Sequence, residues 1–205
     1  ILHEQLGVSG VVVGFDYSFG CRGAGTASDL KEMAMRFDFF VHVMDPITVD
    51  GIPVGSTAIR QYLAAGRVEE AAAMLGYPFY LRGTVVHGDG RGRKLGFPTA
   101  NLLVNCELIR PGNGVYLSQA ACGDNVFWAL ASVGKRPTFC KDETSLEVYL
   151  LDQEKNLYGQ ELIVSFLQKI RDEIAFSSPA ALACQIQNDV ALARNLIASP
   201  QPWSS

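Results

Sequence analysis

Apolar residues at the start of the chain come in short runs that are apolar on both faces. Residues 8–15 and 37–44 have this character, which predicts two buried strands of a parallel sheet. Residues 28–35 between them fit a crossover helix. Residues 56–65 predict a helix with Ser56 or Thr57 as N-cap and a stop at Gly66. A second, alanine-rich helix is expected over 68–75, ending at Gly76. This first part reads as α/β.

After Gly76-Tyr77-Pro78 the texture changes. Residues 79–86, 114–121, 126–133, 145–151 and 161–167 are strand-like segments separated by Gly, Asn and Asp turns. Such spacing with no intervening helices predicts an antiparallel barrel or sandwich. Residues 179–198 form one amphipathic helix, with Leu182, Ile186, Val190, Ala193 and Ile197 on a single face. Ser177-Ser178-Pro179 marks its start, a cap followed by proline in the first turn. Two domains are expected, 1–76 and 77–205.

Composition narrows the function classes. Apolar residues make up 48% of the 205 and charged residues 19%, which suits a folded domain with a sizeable core. A net charge of −4 without a basic run argues against a nucleic-acid partner. Apolar stretches such as 11–13 and 163–167 are too short to cross a bilayer, and residues 1–5 do not read as a signal peptide. The 5 cysteines are scattered, with no CxxC pair, and read as free thiols of a cytoplasmic protein. The chain opens without Met, so it is expected to be a fragment or a processed product. Oligomeric state is not legible.

Candidate chemistry concentrates in Val86-His87-Gly88-Asp89-Gly90-Arg91-Gly92-Arg93-Lys94-Leu95-Gly96-Phe97-Pro98-Thr99-Ala100-Asn101. Its glycines permit tight turns and close backbone approach to a ligand, and exposed N–H groups in such a loop make an anion-binding concavity. Arg91, Arg93 and Lys94 add positive charge, so the segment reads either as a phosphate cradle or as a solvated hairpin turn. It is not a Walker A loop, because no Gly-Lys-Ser/Thr follows. Thr99 and Asn101 fall on one side of an extended segment; a hydroxyl and an amide are hard oxygen donors suited to Mg²⁺. In Ser145-Leu146-Glu147-Val148-Tyr149-Leu150-Leu151, Leu146, Val148 and Leu150 share one strand face, and Glu147, Tyr149 and Leu151 share the other. Glu147 is either a solvated outer-face carboxylate or a general base within reach of a substrate hydroxyl.

The run GDGRGRKLGFPTAN resembles the signature of the riboflavin kinase family. The likeness continues through Pro111-Gly112-Asn113-Gly114-Val115-Tyr116, Val133-Gly134-Lys135-Arg136-Pro137-Thr138-Phe139, Leu157-Tyr158-Gly159 and Ile170-Arg171-Asp172-Glu173. It implies a six-stranded antiparallel Greek-key β-barrel with a C-terminal helix, and transfer of the ATP γ-phosphate to the riboflavin 5′-hydroxyl with Mg²⁺, giving FMN and ADP. By resemblance, Gly88, Gly90, Gly92, Lys94, Gly96 and Thr99 would bind ATP, and Thr99 and Asn101 would hold the metal. Asn101, Pro137, Thr138 and Arg171 would shape the flavin site, and Glu147 would be the base.

Upstream, Val13-Gly14-Phe15-Asp16-Tyr17-Ser18-Phe19-Gly20 and Gly55-Ser56-Thr57-Ala58-Ile59-Arg60 resemble the FMN adenylyltransferase domain that precedes the kinase in bacterial fusions. The first 76 residues are thereby expected to be a partial Rossmann-like nucleotidyltransferase segment. Ser56, Thr57 and Arg60 would belong to its phosphate-binding helix N-terminus. That domain's HxGH motif does not occur among these residues, whose histidines are His3, His42 and His87. The intact protein is expected to make both FMN and FAD, and this chain FMN alone. A flavin-binding module without turnover is the alternative from another class; a nucleotidyltransferase of different substrate would account only for residues 1–76.

Overall fold

The computed structural model describes residues 1–88, 90–135, 144–153 and 155–199. The chain divides into two compact units, Ile1–Val54 and Gly55–Ser205.

The first unit contains β1 (Gly10–Gly14), β2 (Ser18–Phe19), a 3-10 turn at Cys21–Gly23, β3 (Gly25–Thr26), α1 (Ala27–Phe37), β4 (Phe40–Met44), β5 (Thr48–Val49) and β6 (Ile52–Pro53). Strands β1 and β4 pair in parallel, Val12 opposite His42, and α1 makes the crossover between them. Thr26 starts α1 with a reciprocal capping box: its hydroxyl accepts from the Asp29 N–H, and the Asp29 carboxylate accepts from the Thr26 N–H at 2.7 Å. The expectation that both strands are buried on both faces is corrected here. Val13, Leu30 and Ala34 are buried, but Val12, Phe40 and Met44 are exposed. Within this unit α1 covers one face of a two-stranded sheet, so the apolar residues of the other face stay in solvent.

The second unit runs α2 (Ser56–Ala64), α3 (Val68–Leu75), β7 (Tyr80–Val86), α4 (Arg91–Lys94), β8 (Thr99–Leu103), β9 (Gly114–Cys122), β10 (Asn125–Lys135), β11 (Thr144–Leu150), β12 (Glu161–Arg171) and α5 (Pro179–Ala198). Six of these strands close a barrel in the order β10-β11-β8-β7-β12-β9, every neighbouring pair antiparallel. The meander β9-β10-β11 is flanked by β8, the strand that precedes it in sequence, which is a Greek key. Strand β8 lies where the sequence places an extended segment, although it is not among the five strand-like runs. Its pairing with β7 and β11 makes it a strand.

Alternation along the strands builds two cores. Leu81, Val85, Leu102, Ala129, Leu146, Val148, Leu162, Val164 and Phe166 fill the barrel. Outward-facing Val115, Leu117, Leu130 and Leu167 meet Val190 and Ala193 of α5, with Leu151 joining them just beyond β11. Helix α5 begins as its sequence implies: Ser178 Oγ accepts from the Ala181 N–H at 3.2 Å and Pro179 occupies the first turn.

The change of texture at Tyr77 does not coincide with the division into compact units. Leu63 of α2 and Val68 and Ala71 of α3 belong to the barrel's own buried cluster, so the helical pair sits in the barrel unit. The fit is close. The Gly112 N–H donates to the Leu63 carbonyl at 2.8 Å, and a side chain at Gly66 would lie 2.7 Å from both the Tyr116 hydroxyl and Lys169 Nζ. Tyr116 donates its hydroxyl to the Gly112 carbonyl, and burial pushes its phenol up to about 12. Helix α2 is capped by Gly55 rather than by Ser56 or Thr57, and that cap has no side-chain hydrogen bond.

Candidate active site

Strands β8 and β11 carry the polar residues of the site as a cross-strand ladder. Asn101 stands directly opposite Glu147, and Thr99 opposite Tyr149. Because Leu102, Leu146, Val148 and Leu150 point into the barrel, the alternation puts Thr99, Asn101, Glu147 and Tyr149 together on the outer face. The Thr99 hydroxyl donates to Glu147 Oε2 at 3.2 Å, and Asn101 is only 9% exposed. Tyr149 extends the row by meeting Phe97 edge-on at 5.6 Å between ring centroids. A hydroxyl, an amide and a carboxylate therefore share one half-buried patch held by sheet hydrogen bonds.

The glycine-rich segment packs against this patch through its backbone. A Cβ on Gly88 would come within 2.2 Å of Asn101 Nδ2, and one on Gly92 within 2.3 Å of the Phe97 carbonyl and 3.2 Å of Thr99 Oγ1. Glycine at these two positions is a requirement of close approach. The segment read as a phosphate cradle or a hairpin turn contains a single helical turn, α4, after which the Phe97 N–H donates to the Gly92 carbonyl at 2.9 Å. Gly90 and Gly96 flank that turn at φ of 64° and 84°.

Beside the ladder lies a cleft of about 460 Å³. One wall comes from Arg93, Gly96, Pro98 and Thr99; the other comes from Gln153, Lys155, Asn156, Leu157 and Tyr158 in the β11–β12 connection, with Val85, Ala100, Val148 and Leu150 at the barrel end. This refines the sequence picture in two respects. Arg93 and Lys94 are both exposed, but Arg93 lines the cleft and Lys94 does not. Among the predicted polar trio, Thr99 reaches the cleft, while Asn101 and Glu147 stand behind it on the outer ladder and are connected to it through Thr99. Lys155 and Asn156 went unrecognised because an isolated cation and amide in a turn carry no motif.

Other predicted site residues are placed elsewhere. The Arg171 guanidinium is engaged by Asp189 of α5, with Nε at 2.9 Å from Oδ1 and Nη2 at 2.8 Å from Oδ2; Gln185 Nε2 donates to the same carboxylate at 2.8 Å. Asp189 is 3% exposed and Arg171 is partly buried, so this is a forked, largely buried pair that ties β12 to the final helix. Ser56, Thr57 and Arg60 lie on α2, where Arg60 Nη1 donates to Ser56 Oγ at 3.2 Å. Pro137 and Thr138 lie outside the described residues. Among the described residues no group of three His, Cys, Asp or Glu side chains could hold a metal ion. A Mg²⁺ site of another kind fits the ladder, because Mg²⁺ takes one or two protein oxygens and completes its shell with phosphate and water.

The chain has recognisable relatives among known proteins. A family model described as riboflavin kinase matches residues 75–197, and one described as FAD synthetase matches residues 1–58. The chain belongs to the riboflavin kinase family. It is 40% identical to the bifunctional riboflavin kinase/FMN adenylyltransferase of Listeria monocytogenes, over 90% of this chain and 59% of that one. It is 36% identical to the protein of the same name from Escherichia coli K12, over 98% of this chain and 64% of that one. The chain thus spans about three fifths of the length of these curated relatives. A crystal structure solved under the name macrolide-efflux protein, from Streptococcus pneumoniae, is 39% identical with a TM-score of 0.81, covering 91% of this chain and 60% of that one. No helix among the described residues here is long and apolar enough to cross a membrane.

Proposed function

We propose that this chain transfers the γ-phosphate of ATP to the 5′-hydroxyl of riboflavin, yielding FMN and ADP. The observation that carries this reading is the placement of Glu147 opposite Asn101, with its carboxylate engaged by Thr99 at the lip of a basic-walled cleft. Glu147 accepts the ribityl hydroxyl proton as that oxygen bonds to the γ-phosphorus, and the bond from the γ-phosphorus to the bridging β–γ oxygen breaks to release ADP. Thr99 orients the carboxylate. Arg93 and Lys155, on opposite walls of the cleft, supply charge to the phosphates, and the backbone near Gly96 allows their close approach. Mg²⁺, held through the Thr99 and Asn101 oxygens, would neutralise the phosphate charge during transfer. Little covalent chemistry is asked of the protein in such a reaction, because positioning and charge neutralisation supply most of the catalysis.

Asn101 and the segment holding Pro137 and Thr138 are assigned to the flavin side. Arg171 acts there indirectly, by fixing the end of β12 against α5. We assign adenylyl transfer to the longer protein, in keeping with the names of its relatives, and place Ser56, Thr57 and Arg60 in its phosphate site. A cytoplasmic setting suits the thiols of Cys21, Cys106, Cys122 and Cys184, which are free.

Incubation with riboflavin and Mg·ATP followed by chromatographic separation of the flavins tests the assignment. FMN as sole product supports it. Appearance of FAD would return adenylyl transfer to these 205 residues, and riboflavin that is bound but unchanged would make the chain a binding module.

A further inference from the structure

Tyr158, on one wall of the cleft, stacks on His87, which opens the segment carrying the other wall. His87, the residue after β7, lies with its ring 3.9 Å from that of Tyr158 at an interplanar angle of 23°. His87 opens the glycine-rich segment, and Tyr158 closes the β11–β12 connection that forms the opposite wall. The backbone around Tyr158 is already tied to β7: the Gly159 N–H donates to the Val85 carbonyl at 2.9 Å, and the Val85 N–H donates to the Gln160 carbonyl at 2.9 Å. On the other side, Gly88 abuts the Asn101 amide so closely that a Cβ there would sit 2.2 Å away. The Val85 backbone is thus tied to the Gly159–Gln160 segment, Gly88 packs on the Asn101 amide, and between them the His87 ring adds a side-chain contact to Tyr158 on the far wall. Beyond it the segment passes through Gly90 and Gly96, both in the left-handed region.

We infer that the His87–Tyr158 stack is a positioning element that sets the separation of the cleft walls for the nucleotide, resting on the kinase reading above. Neither ring is asked to touch the reacting atoms. The pair is half in solvent, Tyr158 being 39% exposed, so it contributes little to the core, and its effect falls on the geometry of the cleft. Aromatic pairs hold their partners with an energy equivalent to roughly a two- to tenfold change in an equilibrium.

The test compares wild type, His87→Ala, Tyr158→Ala and His87→Phe. Mg·ADP binding is measured by calorimetry, and KM for ATP, KM for riboflavin and kcat by FMN formation. The two alanine variants are expected to weaken Mg·ADP binding and raise KM for ATP by roughly two- to tenfold, leaving KM for riboflavin at its wild-type value and lowering the melting temperature by no more than about 6 °C. His87→Phe, which keeps a stacking ring, is expected to restore both nucleotide values. Unchanged nucleotide binding in the alanine variants would overturn the inference, as would a His87→Phe protein as impaired as His87→Ala. If wild type makes no FMN, the functional reading fails by itself, and the calorimetric comparison still decides the role of the stack.

Discussion

Replacing Leu63 by alanine asks whether the helical pair ahead of the barrel is part of its folding unit. Leu63 is 1% exposed and belongs to the same buried cluster as Val164 and Phe166 of β12. Truncating a leucine in such a site removes its transfer free energy and leaves a cavity, at a cost of about 2–5 kcal/mol. In a domain of roughly 150 residues each kcal/mol moves the midpoint by about 2–4 °C, so the barrel transition should fall by roughly 4–20 °C. Collapse around the site is limited by the Gly112–Leu63 hydrogen bond and by the close contacts at Gly66, which favours the upper half of that range. Differential scanning calorimetry gives the midpoint, and the near-ultraviolet circular dichroism signal that disappears in a Trp128→Phe background, Trp128 lying on β10, assigns the transition to the barrel. Met35→Ala is the control: this α1 side chain is 82% exposed, and its loss should change stability by less than about 0.5 kcal/mol. A Leu63→Ala protein whose barrel melts at the wild-type temperature would show that residues 55–76 are not part of the cooperative unit.

Three further outcomes follow from particular contacts. Gly92→Ala should lower kcat/KM on the order of 100-fold, because its Cβ would press on the Phe97 carbonyl and displace Thr99, and misplacing a positioned group by about 1 Å has that effect; an unchanged rate in the flavin assay would refute the close packing. Asp189→Ala should destabilise the barrel by about 3–5 kcal/mol in a urea titration, since it leaves the Arg171 guanidinium partly buried without its counter-charge; a loss below about 1 kcal/mol would show the pair to be incidental. Tyr116 should make stability fall as pH rises from about 10 to about 12, because its phenol is held up to about 12 in the folded chain and an unfolded tyrosine releases its proton near 10. The unfolded state then binds fewer protons in that window, so the slope is negative; Tyr116→Phe should remove that part of it, as measured by denaturant titration at pH 9 and pH 11.5.

Much of this architecture is legible in the residue pattern, for reasons specific to each element. The 68–75 helix and the 179–198 helix are bounded by signals that act locally: a left-handed Gly76 at one end, Ser178 and Pro179 at the other. The alternation through Leu146, Val148 and Leu150 is visible because the barrel interior is uniformly apolar. Strand β8 is less so, because alanine and asparagine disfavour strands and the segment follows a glycine-rich loop and a proline, so pairing with β7 and β11 decides its conformation. The fate of Arg171 is equally hidden, since nothing in a helix periodicity shows that Asp189 will turn inward. At the site, Thr99, Asn101 and Glu147 could be singled out by residue chemistry and resemblance, but their common face rests on a register between strands 48 residues apart. That register also moves Asn101 and Glu147 off the cleft lining and leaves Thr99 as the link.

The most direct measurement is the turnover of Glu147→Gln with riboflavin and Mg·ATP, taken beside its Mg·ADP affinity. Removing a general base lowers the rate by about 100- to 10,000-fold. Glutamine keeps the size of the side chain and an oxygen that can accept from Thr99, so nucleotide binding should persist while FMN formation falls by that factor. Near-normal FMN formation by this variant would contradict the assignment of the Thr99–Asn101–Glu147 ladder as the centre of phosphoryl transfer.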